Sequence, residues 1–260
     1  MKRLSLLPVL ALVSALFLSV PGFAAPAAGE KEVYEIKLYR YKTAAQEKLI
    51  DDYLQNALLP SLHKAGIAKV GVFKPLANDT AADKILYVFI PFKSLAQWHQ
   101  LSASQPVASG SSAYTDAFFS AAPYTRMESI LIEAFPLAPK IQLPALSGPH
   151  EEHIYELRSY ESATEKYNTS KVKMFNAGGE IALFKRLGFN GIFYGEVLSG
   201  SHMPNLMYMT SFDNKQARDE HWKAFGDDAA WKKLKAMPEY QNNVSRSEVV
   251  LCHAAPYSDL

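Results

Sequence analysis

The chain has 260 residues, with 27 Lys and Arg against 26 Asp and Glu and a formal net charge of +1. No long run of one sign occurs, which argues against a nucleic-acid partner or an anionic-membrane binder. The single cysteine, Cys252, cannot close an intramolecular disulfide, so stability must come from the core; within the apolar run EVVLCHAA it reads as a buried, inert thiol.

The chain opens with Lys2 and Arg3, an apolar run from Leu4 to about Val20, and then small residues. This is the pattern of a secretory signal peptide over residues 1–28, with cleavage near Ala24 to Ala28. Pro8, Pro21 and the short apolar core set it apart from a membrane anchor. Removing Lys2 and Arg3 takes the formal charge from +1 to +1 − 2 = −1. The expected product is secreted or periplasmic, with no membrane association after cleavage.

The mature chain repeats itself. VYEIKLY, residues 33–39, aligns with IYELRSY, residues 154–160, at an offset of 121; Tyr87 of KILYVFIPF meets Tyr208 of NLMYMTSF at the same offset. Arg126, Glu128, Leu131, Ala134 and Pro136 align with Arg246, Glu248, Leu251, Ala254 and Pro256 at an offset of 120. Collinear matches of this kind indicate a tandem duplication.

Each copy reads as an alternating strand, then an amphipathic helix (43–65 and 164–187). Gly66 and Gly188 stand where a left-handed cap would end that helix. Two strands follow, then a second helical region (94–119 and 214–237) and a closing strand. Pro60 and Gly178-Gly179 interrupt the first helix of each copy at similar points. The order βαββαβ is the ferredoxin-like unit, whose open sheet face needs a cover. The predicted fold is therefore α+β: two tandem units, residues 29–138 and 151–260, joined by a proline-rich linker at 139–150 and packed sheet to sheet as a fused dimeric α/β barrel.

The second copy carries YELRSY, then SFDNKQARDEHWKAFGDDAAWKKL with Asp213, Arg218 and Trp231, then VSRSEVVLCHAAP. In these motifs, and in the spacing of those three residues, it resembles the NIPSNAP family. The resemblance implies a dimeric α/β barrel, similar to cofactor-free antibiotic-biosynthesis monooxygenases and chlorite-dismutase-like haem proteins, with no settled activity. In the first copy Trp98 stands where the family's Arg is expected and Lys37 replaces Arg158, so one site of two is expected.

Strand alternation places Glu156, Arg158 and Tyr160 on one face and Tyr155, Leu157 and Ser159 on the other. With the more apolar set under the helices, the charged set is expected to face the cavity between the sheets. That face admits two readings: a site that binds a polar or anionic small molecule or positions a proton donor, or ion pairs, Arg158 with Glu156 or Glu248, that tie the sheets together. Arg218, His221 and Trp222 share one helical face and complete the ligand-binding candidates Glu156, Arg158, Tyr160, Arg218, His221 and Glu248. The seven histidines show no metal-ligand spacing, so no metal and no cofactor is expected. No catalytic residue is assigned, and the expected state is a monomer or a homo-oligomer.

Overall fold

The computed structural model describes residues 30–104 and 112–260. The predicted signal peptide lies outside the described residues, as do residues 105–111 of the second helical region of the first repeat.

The first repeat runs β1 (Val33–Tyr41), α1 (Ala44–Tyr53), α2 (Leu59–Lys64), β2 (Gly71–Pro75), β3 (Lys84–Phe92), α3 (Leu95–Ser104), the short α4 (Ser112–Thr115) and β4 (Arg126–Ala134). The second runs β5 (Ile154–Glu161), α5 (Glu165–Phe175), α6 (Glu180–Arg186), β6 (Asn190–Ser199), β7 (Asn205–Phe212), α7 (Lys215–Asp227), α8 (Ala229–Lys235) and β8 (Arg246–Ala254). The eight strands close into one barrel in the order β1-β3-β2-β8-β5-β7-β6-β4. Closure is reciprocal: the last strand of each repeat pairs with the second strand of the other, β8 with β2 and β4 with β6. Every pairing is antiparallel. Neither repeat keeps a free sheet edge at these seams, which removes the exposed strand a lone unit would present.

Local chemistry explains the helix limits. Thr43 and Gln46 form a reciprocal capping box on α1, and Asn214 caps α7 by accepting from the Ala217 N–H. Pro60 does not break its helix; a π-helical turn at Leu54–Leu58 absorbs the missing N–H and runs straight into α2. In the second repeat the break is real, because Gly179 adopts φ +90° between α5 and α6.

The barrel interior is filled. Tyr34, Ile36 and Leu38 of β1 and Tyr155 and Leu157 of β5 point inward, where Phe89 stacks on Phe193 at 4.8 Å and Phe73 meets Tyr155 at 4.9 Å across the repeat boundary. This corrects the expected facing. The apolar alternation set, not the charged one, lies between the sheets, because a closed interior lined by strands alone offers a buried charge no helix-borne partner. Glu156, Arg158 and Tyr160 instead lie beneath the helices. One barrel end is covered by the linker, whose Gln142 N–H donates to the Ile192 carbonyl and whose Ile141 and Leu146 pack on the core beside Leu260.

The register also corrects one repeat match. Lys37 lies opposite Val88 and Arg158 opposite Tyr208, so Tyr208 corresponds to Val88 and not to Tyr87. Tyr87 points into the barrel and Tyr208 outward. From these strands onward the offset is 208 − 88 = 120.

Candidate ligand site under the helices of the second repeat

Glu156 is the centre of the charged face, with a fully buried side chain. Arg218 reaches from α7 with Nε 2.7 Å from Oε2 and Nη2 3.0 Å from Oε1. Arg158, two residues along β5, donates from Nε to Oε1 at 2.6 Å, and the indole N–H of Trp222 donates to Oε2 at 2.7 Å. Burial pushes the Glu156 carboxyl up, but the hydrogen bond from Arg218, the charges of Arg158 and Arg218, and the Trp222 donor reverse this and hold it below its usual value. The carboxylate is ionised and fully committed.

Arg158 is shared. Its guanidinium lies over the Trp222 ring at 3.7 Å, and Nη1 donates to the Tyr160 hydroxyl at 2.9 Å, which is hydrogen-bonded to the Tyr208 hydroxyl at 2.8 Å. Beside it, Lys171 of α5 is buried against Glu180 of α6, Nζ to Oε2 at 2.8 Å, and sits over the Phe175 ring at 4.8 Å. Burial pushes the Glu180 carboxyl up, and Lys171 only partly offsets it.

Arg158, Tyr160, Lys171 and Glu180 line an open cavity of about 440 Å³, with Trp231, Tyr240 and Asn243 along its other walls and the exposed Lys235 at its rim. Among the described residues, three of its lining side chains are cationic and one is acidic.

Of the candidates, Glu156, Arg158, Tyr160 and Arg218 come together; His221 and Glu248 do not join them. The His221 Nδ1 donates to the Ala217 carbonyl of its own helix at 2.7 Å, and the ring packs on Phe189 and Phe212. Glu248 lies opposite Ser159 on β8, so it shares that residue's face and lines the barrel mouth with Arg40, Glu128 and His202 around a cavity of only about 100 Å³. An Arg158–Glu248 pair is therefore ruled out by the sheet between them.

Lys171 and Glu180 are new members. Each precedes by four residues an aromatic of its helix's apolar stripe, Phe175 and Phe184, and that spacing was the available signal.

The NIPSNAP family profile matches residues 155–259, which include the whole Glu156-centred cluster. The second repeat is a NIPSNAP domain. Together the NIPSNAP domain and its companion repeat resemble solved barrels: a provisionally assigned monooxygenase from Lactobacillus acidophilus NCFM (12% identity, TM-score 0.54, covering 86% of this chain and 94% of that one). A provisionally assigned monooxygenase from Fusobacterium nucleatum gives 7% identity, TM-score 0.57 and coverage of 86% and 92%. An anthrone oxidase-like protein gives 14% identity, TM-score 0.51 and coverage of 88% and 93%. At these identities the likeness is one of fold. No curated protein matches the chain.

Proposed function

We propose that this chain is an exported binding protein that holds a small anionic molecule, of the carboxylate class, between the sheet and the helices of its NIPSNAP domain. The observation that carries the reading is the pair of cations, the partly buried Arg158 and the buried Lys171, turned into one 440 Å³ cavity with donors to spare. Arg158 has five N–H groups, of which the Glu156 and Tyr160 contacts use three. The Lys171 ammonium has three, of which one meets Glu180 and one the weakly accepting Met174 sulfur. A carboxylate would satisfy the remainder, and Trp231 and Tyr240 supply the apolar walls such pockets use.

Binding is favoured over catalysis because both carboxylates are already engaged, Glu156 by two arginines and an indole and Glu180 by Lys171, and no histidine lines the cavity. The competing reading is a purely structural knot, which the saturated Glu156 favours.

Titration calorimetry with benzoate and phenylacetate, beside native mass spectrometry of protein from its own host, separates the two. The binding reading expects saturable uptake that weakens at least ten-fold in Arg158→Lys with the fold retained. No copurifying anion and no saturable uptake by folded protein would leave the structural knot. Export is tested on the same material by N-terminal sequencing, which should begin between residues 25 and 29; an N-terminus at Met1 would remove it.

A further inference from the structure

The first repeat holds a second cavity in the equivalent place, of about 470 Å³, between the outer face of its sheet and its helices. Its chemistry is different, for reasons visible residue by residue. Ser94 caps α3 through the Gln97 N–H as Asn214 caps α7 through the Ala217 N–H, an offset of 214 − 94 = 120. Trp98 therefore occupies the place of Arg218, and Ser102 that of Trp222, while Lys37 stands for Arg158 and Glu35 for Glu156. The three donors that engage Glu156 are thus missing around Glu35. Its Oε1 accepts from the Ser129 hydroxyl at 2.7 Å and lies 3.9 Å from the Lys37 ammonium, and among the described residues no donor is found for its Oε2.

Loss of the Trp222 bulk leaves the space open, and aromatic side chains wall it. Tyr53 and Tyr114 stack at 3.8 Å, and Tyr39 meets Tyr124 edge-on at 5.5 Å. The indole N–H of Trp98 is buried at this cavity without a hydrogen-bond partner among the described residues. Buried donors are almost always paired, and leaving one unpaired costs stability that a ligand acceptor would restore.

We propose that this cavity is a second binding site, for a neutral, flat aromatic molecule that carries a hydrogen-bond acceptor for Trp98 Nε1 and an N–H or O–H donor for Glu35. The ring would lie among the tyrosines. Lys37 beside Glu35 balances the carboxylate and so disfavours a cationic ligand. A duplicated fold thus offers two cavities of different selectivity, one lined by cations and one by aromatic rings and a single balanced carboxylate.

The probe is 2-quinolinone, whose lactam presents acceptor and donor side by side on a flat ring system. Calorimetric titration of the full chain should show one saturable site. Trp98→Phe and Glu35→Gln should each weaken it about ten-fold, as expected for one buried hydrogen bond. Arg158→Lys should leave it unchanged. Circular dichroism of each variant, compared with the wild type, controls for folding. The absence of saturable binding, or wild-type affinity in either Trp98→Phe or Glu35→Gln, would overturn the proposal. A loss in Arg158→Lys would do the same, by placing the ligand in the other repeat. The carboxylate reading of the NIPSNAP domain can fail without affecting this result, since its probes and its residues are separate.

Discussion

Arg218 clasps Glu156 with two parallel hydrogen bonds, Nε to Oε2 at 2.7 Å and Nη2 to Oε1 at 3.0 Å, and so fastens α7 to the outer face of β5. This side-by-side geometry is a strong form of charge-assisted contact, and its carboxylate is fully buried while Arg218 stays partly exposed. Removing the carboxylate would leave two guanidinium groups without their shared anion. Glu156→Gln should therefore cost about 3–5 kcal/mol, read as a shift in the urea unfolding midpoint. Arg218→Ala should cost less, because Arg158 and Trp222 remain on the carboxylate.

The same contact sets an acid response. The folded-state value of Glu156 is depressed from 4.5, so its stabilisation is present above that value and is lost as pH falls through the depressed one. Glu180 works in the opposite sense. Its value is raised above 4.5 by burial, so its contribution is present below 4.5 and lost as pH rises through the raised value. Difference curves separate them. The stability gap between wild type and Glu156→Gln should narrow as pH drops below 4.5, by up to about 1.4 kcal/mol per pH unit. A gap that does not change with acidification would mean that Glu156 is not the group responsible.

Lys171 and Glu180 form a buried pair with side-chain exposures of 5% and 3%. Lys171→Met alone should destabilise by about 3–5 kcal/mol, because it strands Glu180 in an aromatic surround. Adding Glu180→Leu should recover most of that loss, since two apolar side chains replace two mutually dependent charges. If the cation serves a ligand, the double variant would be folded and yet unable to take up benzoate. Recovery of stability together with undiminished uptake would show that Lys171 is only a structural charge.

The duplicated βαββαβ order was legible in the sequence because its signals are local: alternation in VYEIKLY and IYELRSY, and glycines at 66 and 188 that adopt φ +84° and +77°. The direction in which the alternating faces point was not. Alternation defines two faces without saying which one the barrel encloses, and Arg218 and Trp222, which make the charged face tolerable under a helix, are remote in sequence. The match of Tyr87 to Tyr208 failed by one residue, and in a strand one residue exchanges inside for outside. Identity of side chain was a poorer guide there than pairing. The gathering of Glu156, Arg158, Tyr160 and Arg218 was recoverable from strand period and helix spacing together, whereas Lys171 and Glu180 become partners only across the break between α5 and α6, which no local pattern encodes.

Gly179 isolates a backbone effect. It holds φ +90° between α5 and α6, and a Cβ added there would meet nothing within 4 Å. Gly179→Ala should therefore cost about 1–2 kcal/mol through conformation alone, with no change in packing. Gly178→Ala should be worse, because its Cβ would fall 2.6 Å from the Met174 carbonyl oxygen. Thermal unfolding of the two variants, ranked in that order, checks the assignment. An unchanged midpoint in Gly179→Ala would argue that the break tolerates a right-handed conformation.

Glu35 and Glu156 occupy matched strand positions, yet their replacement should have very different costs. Glu156 holds Arg158, Arg218 and Trp222, whereas Glu35 has the Ser129 hydroxyl and a lysine at 3.9 Å. Glutamine at position 35 keeps an acceptor for Ser129 and removes a buried charge whose counter-ion, Lys37, stands at 3.9 Å, beyond hydrogen-bond distance. Glu35→Gln should thus change stability by less than about 1 kcal/mol, or even raise it, against the several expected for Glu156→Gln. Parallel urea titrations of the two variants make the comparison within one chain and one fold. Equal losses would mean that the carboxylate is needed at this strand position whatever surrounds it. Unequal losses would assign the cost to the donors, and would identify Glu35 as the carboxylate that can change partners without unfolding the barrel.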